Sequence, residues 1–151
     1  MRLRDVRSAG LLFGMALLSA CASSAPRTGV DSSLAPAMTV ERFLRAANQN
    51  DLDTMASLFG NKAGPVTRTW SRKEVDDRML LLANVLRHTD YTIAGEQIVA
   101  GRRGEATQLN VRLVINGSTH QVPFVMVLTD SQNWLIENID ITAVTGRRSG
   151  S

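Results

Sequence analysis

Cysteine is almost absent from this chain: Cys21 is the only one in 151 residues, so no disulfide can form within it. Aromatic residues make up 5% of the chain and histidines number two. No His/Cys cluster with metal-ligand spacing and no glycine-rich phosphate loop occurs, so the sequence predicts neither a metal nor another cofactor. The apolar run at residues 9–20 is also short, since a helix that crosses a bilayer needs about 20 apolar residues.

An excess of positive charge is missing from the central region. The whole chain has a formal charge of +3, but residues 37–145 contain 11 basic and 12 acidic residues. A domain that binds nucleic acid needs a basic face to neutralise phosphates. The charge distribution therefore predicts no nucleic-acid partner.

The N-terminal segment has the pattern of a secretory signal. Three arginines precede residue 8, an apolar run follows, and small residues occupy the exit. The sequence Leu18-Ser19-Ala20-Cys21 resembles the lipobox of bacterial lipoproteins. An ordinary secreted protein is the alternative, because Ala20-Cys21-Ala22 also fits a small-x-small cleavage site.

The lipobox resemblance implies that residues 1–20 are a signal peptide that is removed and that Cys21 is lipidated. The lipid bilayer, reached through the acyl chains on Cys21, is then a partner of this cell-envelope protein. Alanine at position 22, where aspartate commonly signals retention in the inner membrane, implies an outer-membrane lipoprotein that faces the periplasm if the organism is didermal. Residues 21–36, rich in Ser, Ala, Pro and Gly, are expected to be a flexible tether.

Hydrophobic periodicity predicts three helices after this tether. The first covers residues 40–49, with Thr39 as its cap, and the second runs from Leu52 to Phe59 with Asp51 as its cap. Ser71 and Glu74 form a capping-box pattern at the start of the third helix. Leu80 and Leu81 widen the apolar stripe of this helix, which predicts that it is covered on more than one side.

The remaining chain predicts antiparallel strands. One covers residues 91–100 with a bulge at Gly95, and a second covers residues 107–115. Asn116-Gly117 is a favoured two-residue hairpin turn, which places Leu113 opposite His120, Val111 opposite Val122 and Leu109 opposite Phe124. Pro123 indicates a sheet edge or a bulge. The last strand runs from Trp134 to about Thr142, with Glu137 on the core face opposite Met126.

This order of elements, with Phe43-Leu44, Asp51-Leu52, Leu58-Phe59 and Trp134-Leu135-Ile136, resembles the nuclear transport factor 2-like superfamily. The resemblance covers residues 37–145 and leaves residues 146–151 as a disordered tail. It implies an α+β cone in which three helices pack on a curved antiparallel sheet. Its members include isomerases, dehydratases and many non-catalytic binding domains, so it carries little information on function.

The resemblance and the predicted register together define a candidate pocket. Its lining is Phe43, Met55, Met79, His120, Phe124, Met126 and Glu137. Glu137 is a weak candidate for a general base, as in isomerases of this superfamily, and Asp76, Asp77 and Asp140 are weaker ones. His120 lies too far along the strands from Glu137 to form an acid–base pair with it. The simpler alternatives are a solvent-facing Glu137 and a rim position for His120.

The opposite face of the sheet predicts an interface. Apolar side chains gather there, which favours a homodimer or an envelope protein partner. This predicted interface consists of Val114, Val125, Val127, Trp134 and Ile136. The leading hypothesis is a lipid-anchored, non-catalytic domain that binds a small apolar ligand or a protein, and the alternative is an isomerase- or dehydratase-type enzyme.

Overall fold

The computed structural model describes residues 34–146, which form four α-helices and a four-stranded antiparallel sheet. Helix α1 covers Leu34–Gln49 and begins six residues before the predicted start. Pro36 lies in its first turn, where a missing N–H costs no hydrogen bond. Thr39 lies inside the helix, and its hydroxyl donates to the carbonyl of Trp134 at 3.4 Å, so its predicted role as a cap is wrong.

The next two helices begin at the predicted caps. Asp51 accepts from the amide of Thr54 at 3.0 Å and caps α2, Leu52–Leu58. Ser71 and Glu74 form the capping box of α3, Arg72–Val85, each accepting from the backbone of the other. The hydroxyl and amide of Thr54 lower the pKa of Asp51, and the amide and hydroxyl of Ser71 lower the pKa of Glu74.

Helix α3 is covered on one side only. Val75, Met79 and Ala83 are buried, whereas Leu80 and Leu81 are 48% and 57% exposed. The prediction that α3 is covered on more than one side is therefore wrong. The apolar residues that widen its stripe lie beyond the face that packs on the core.

A short two-stranded sheet and a 3₁₀ turn connect α2 to α3. They consist of β1 (Gly60–Asn61), β2 (Gly64–Pro65) and the turn Val66–Arg68. A Cβ at Gly60 would lie 2.3 Å from the carbonyl oxygen of Gly64, so only glycine allows this approach. Next to β1, Phe59 forms a parallel bridge with Ile136 and so attaches this segment to the edge of the main sheet.

The main sheet has the strand order β3-β4-β5-β6. These strands cover Asp90–Ile98, Ala106–Ile115, Ser118–Leu128 and Trp134–Ile139. The register shifts between Ile93 and Gly95 on β3, which confirms the predicted bulge. Bulges bend a strand and increase its twist, which suits a sheet that curves around helices.

The hairpin between β4 and β5 has the predicted turn and register. Asn116 and Gly117 have φ values of 50° and 77°, as a type I′ turn requires. Leu113 lies opposite His120, Val111 opposite Val122 and Leu109 opposite Phe124. The two-residue turn thus confirms the register derived from it.

Pro123 lies in an interior strand, but beyond the end of β6. Counting from the turn, it occupies a pair with Asn110 in which the two residues exchange no backbone hydrogen bonds. An N–H at this position would point away from β4, toward the side where β6 has ended at Ile139. The proline therefore removes no bond of the sheet.

Strand β6 ends three residues before its predicted end. Asp140 follows it, and its carboxylate accepts from the amide and hydroxyl of Thr142 at 3.0 and 2.6 Å. These contacts lower the pKa of Asp140, and the short helix α4, Thr142–Thr145, follows. Gly146 follows in the left-handed conformation, with φ 69°. Residues 147–151 of the predicted tail lie outside the described residues.

The core lies between the helices and one face of the sheet. Its largest fully buried side chains come from all three long helices and from β4, β5 and β6. Burying these side chains is the main stabilising contribution to such a domain. The predicted α+β architecture, three helices on a curved antiparallel sheet, is confirmed.

Candidate functional site

Side chains occupy the interior where a pocket was predicted. Phe43, Met55, Met79, Phe124 and Met126 each have 0% exposure and belong to one hydrophobic cluster. The five predicted pocket residues are therefore brought together, as parts of a packed core. Methionine suits such a core because its flexible side chain fills irregular gaps.

Glu137 does not lie in this core. The register between β5 and β6 shifts after Val125: Met126 lies opposite Ile136, and Glu137 is the extra residue of a bulge. The predicted pairing of Glu137 with Met126 is wrong because it assumed a turn of even length, whereas five residues separate Leu128 from Trp134 and place Met126 opposite Ile136. The glutamate side chain is 28% exposed.

A salt bridge holds Glu137. Arg102, in the turn before β4, donates from Nη1 to Oε2 at 2.5 Å and from Nη2 to Oε1 at 3.1 Å. The hydrogen bond to Glu137 raises the pKa of Arg102 further above its ordinary value. Both oxygens of Glu137 accept from a guanidinium, so this carboxylate is not a free general base.

His120 lies at the rim of the molecule. It is half-buried, its Nδ1 is 3.0 Å from the carbonyl of Ala143, and it lines a cleft of about 610 Å³. This cleft lies between the end of α3, the β4–β5 turn and α4. His120 is therefore separate from the apolar core side chains with which it was grouped.

The other carboxylate candidates support local structure. Asp76 accepts from Arg72 at 2.9 Å and Asp77 from Lys73 at 2.6 Å, while Asp140 accepts from Thr142 just before α4. The buried polar side chains of residues 36–146 are Thr39, Thr107, Asn110 and Thr129. No Asp, Glu or His residue of this part of the chain is buried as a whole, although Oδ1 of Asp76 is buried without a hydrogen-bond partner. No group of His, Cys, Asp or Glu within it has metal-site geometry.

The predicted interface residues do not share one face. Ile136 is fully buried in the core cluster, and Trp134 packs against it. Val127 is also buried, outside that cluster, where it pairs with Ala106 and Leu135. Val114, Val125 and Trp134 stay half-buried, so the exposed apolar surface is smaller than predicted. A homodimer through it stays a prediction.

Sequence reasoning missed a cleft of about 490 Å³ on the surface. Arg42 of α1, Arg68 of the 3₁₀ turn and the β5–β6 turn line it. These three segments are far apart in the sequence, and no motif marks any of them. The sole local sign is an arginine on the polar side of α1.

A smaller apolar cleft of about 190 Å³ lies between α3 and β6. Its lining includes Met79, Leu81 and Ile139. Arg78 and Trp70 also line this cleft. The guanidinium carbon of Arg78 lies over the Trp70 ring, 4.3 Å from its centre, in a cation–π arrangement.

The predicted lipidation residue Cys21 lies outside the described residues. Within residues 34–146, no helix combines the length and the apolar character that crossing a membrane requires.

No protein-family model and no curated protein matches the chain. Among solved structures, it is similar to a de novo designed protein with a curved β-sheet, at 12% identity and a TM-score of 0.43, over 68% of this chain and 94% of that one. It is also similar to a nuclear transport factor 2-like protein of unknown function from Cytophaga hutchinsonii, at 15% identity and 0.38, over 68% and 87%. A third is an epoxide hydrolase from M. tuberculosis, at 21% identity and 0.32, over 72% and 85%. At these identities and scores, we draw no functional conclusion from the likenesses.

Proposed function

We propose that this protein is a membrane-anchored lipoprotein of the cell envelope whose folded domain binds ligands or partners without catalysing a reaction. The packed interior carries this proposal. Phe43, Met79 and Phe124 fill the interior where the predicted pocket would lie, and no ionisable residue of residues 36–146 belongs to the buried core. Catalysis by proton transfer needs a positioned acid or base against the substrate. Recognition by this domain therefore takes place at its surface.

The sequence supports the anchor, through the lipobox that ends at Cys21. Twelve residues separate Cys21 from the start of α1 at Leu34. A fully extended chain of that length spans about 40 Å, since each residue contributes at most about 3.3–3.6 Å. The domain would therefore work close to the bilayer that holds it.

Metabolic labelling tests the anchor. Cells that express the full chain with radiolabelled palmitate are expected to incorporate the label, and Cys21→Ser is expected to abolish it and release the protein from membranes. Ser23→Ala, two residues away, is the matched control and should keep both label and location. A Cys21→Ser protein that stays membrane-bound would contradict the anchor.

Sorting can be tested separately. Ala22→Asp is expected to move the lipoprotein from the outer to the inner membrane of a didermal host, with labelling unchanged. Sucrose-gradient fractionation of the two membranes measures this shift, and an unchanged distribution would contradict the outer-membrane assignment.

Native mass spectrometry tests the binding domain. The full chain with Cys21→Ser is expected to carry no small molecule trapped in its interior, because Met55 and Met126 already fill it. A stoichiometric ligand that survives gentle desolvation, and that Met126→Ala displaces or loosens, would contradict the packed interior and reopen the enzyme hypothesis.

A further inference from the structure

The cleft of about 490 Å³ lies where several segments meet. The first turns of α1, the end of α2, the segment from β2 into the 3₁₀ turn and the β5–β6 turn form its walls. Its volume is within the range of about 300–1,000 Å³ that is usual for small-molecule sites.

The charge of this cleft has one sign. Arg42 and Arg68 line it, and none of the lining residues is acidic. Neither arginine takes part in a salt bridge with the residues that the structure describes, whereas Arg72 and Arg102 each lie within 3 Å of a carboxylate. Two guanidinium groups without carboxylate partners in a concave site favour an anionic ligand.

Gly64 helps to place one of the two arginines. Its φ is +135°, and a Cβ there would lie 2.9 Å from Nη1 of Arg68, so the arginine side chain lies over the glycine. The same Nη1 is 3.4 Å from the carbonyl oxygen of Ala63. The guanidinium is therefore held against the β1–β2 turn, beside the cleft.

The rest of the lining is partly apolar. Met38 is 58% exposed at the cleft, and Leu58, Pro65 and Trp134 line it as well. An inorganic ion would leave this apolar surface in contact with water. A ligand with a short hydrocarbon part would cover it.

We propose that this cleft binds a small amphiphilic anion, with its phosphate or carboxylate head between Arg42 and Arg68 and its apolar part against Met38 and Trp134. The inference rests on the proposed binding function and names the class of ligand. Such a molecule is either a free amphiphile or a lipid head group presented by the bilayer, because both offer the same chemistry.

The test uses the full chain with Cys21→Ser and Trp70→Phe, so that Trp134 is the only tryptophan and no acyl chain is attached. Octyl phosphate is titrated against it, and the fluorescence of Trp134 is followed. Octyl glucoside, which has the same tail and no charge, is the matched ligand. Arg42→Ala and Arg68→Ala are each expected to weaken octyl phosphate binding by about tenfold, as is usual when a charge-assisted hydrogen bond is lost.

Arg112→Ala is the matched control variant. Arg112 is exposed on β4, away from the cleft, and its loss changes the net charge by the same amount. It should change the dissociation constant less than about twofold, as surface substitutions remote from a site usually do. Circular dichroism should show equal melting temperatures for all three variants.

A second arm identifies the source of the anion. Sedimentation with phosphatidylglycerol vesicles that depends on both cleft arginines identifies a bilayer head group, and octyl phosphate binding without it identifies a free amphiphile. Equal binding of octyl glucoside, loss with Arg112→Ala as large as with Arg42→Ala, or no binding to either anionic probe would overturn the proposal. None of these results affects palmitate labelling at Cys21, so failure of the site and failure of the anchor are distinguishable.

Discussion

The two hairpins that share β5 differ in how their register is fixed. From Ile115 and Ser118 at the turn to Ala106 and Val127, β4 and β5 pair without a break. Between β5 and β6 the turn is longer, residues 129–133, and the register shifts at Glu137. The two-residue turn allows one register, whereas the longer turn leaves the choice to packing.

Packing decides the register of β6 through two isoleucines. Ile136 and Ile139 both belong to the core cluster, although residues three apart in a regular strand point to opposite faces. The bulge at Glu137 supplies the extra residue that brings both onto one face. The sequence contains a sign of this, because the apolar positions change parity between Ile136 and Ile139.

Phe124 pairs with residues of both hairpins. It is fully buried and lies opposite both Leu109 and Ile139. Phe124→Ala is expected to lower the free energy of unfolding by about 3–5 kcal/mol, because it removes a large side chain and leaves a cavity. Urea denaturation followed by circular dichroism measures this loss.

The neighbouring residue is the control. Val125→Ala shortens a half-buried side chain on the other face of the same strand. We expect it to lower the free energy of unfolding by about 1 kcal/mol or less. Similar losses for the two variants would mean that both faces of β5 are equally packed, which contradicts the one-sided core.

The turn of the first hairpin should show a smaller effect. Gly117 has a φ of 77°. We expect Gly117→Ala to lower the free energy of unfolding by about 1–2 kcal/mol, because left-handed backbone is unfavourable for a residue with a Cβ. At Gly95 the φ lies outside that region and a Cβ would meet no atom within 4 Å. Gly95→Ala should therefore be nearly neutral. A larger loss at Gly95 than at Gly117 would show that the turn does not hold the register.

The difference between features that a local turn fixes and features that distant packing fixes explains what the sequence could predict. The caps at Asp51 and Ser71 and the Asn116-Gly117 turn depend on contacts within three residues, so the local sequence contains all the information. The salt bridge of Arg102 with Glu137 joins residues 35 positions apart, and four segments that are separate in the sequence form the Arg42–Arg68 cleft. No local pattern contains such contacts. The predicted start of α1 lies six residues too late because residues 21–36 have the composition of a tether, although the first turn of a helix accepts a proline such as Pro36.

Three carboxylates that accept hydrogen bonds from nearby residues offer a test of the local contacts alone. The pKa values of Asp51, Glu74 and Asp140 are lowered by hydrogen bonds from residues two or three positions away. A lowered pKa means that the folded state binds fewer protons than the unfolded state, so stability falls as the pH falls through the folded-state values, which lie below the ordinary values of these carboxyl groups. Asp51→Asn with Asp140→Asn keeps a hydrogen-bond acceptor at each position without a carboxyl group that titrates. We expect the double variant to lose less stability between pH 6 and pH 3 than the unsubstituted chain does, as measured by urea denaturation at each pH. An equal loss would contradict the assignment of this acid sensitivity to the hydrogen bonds of Asp51 and Asp140.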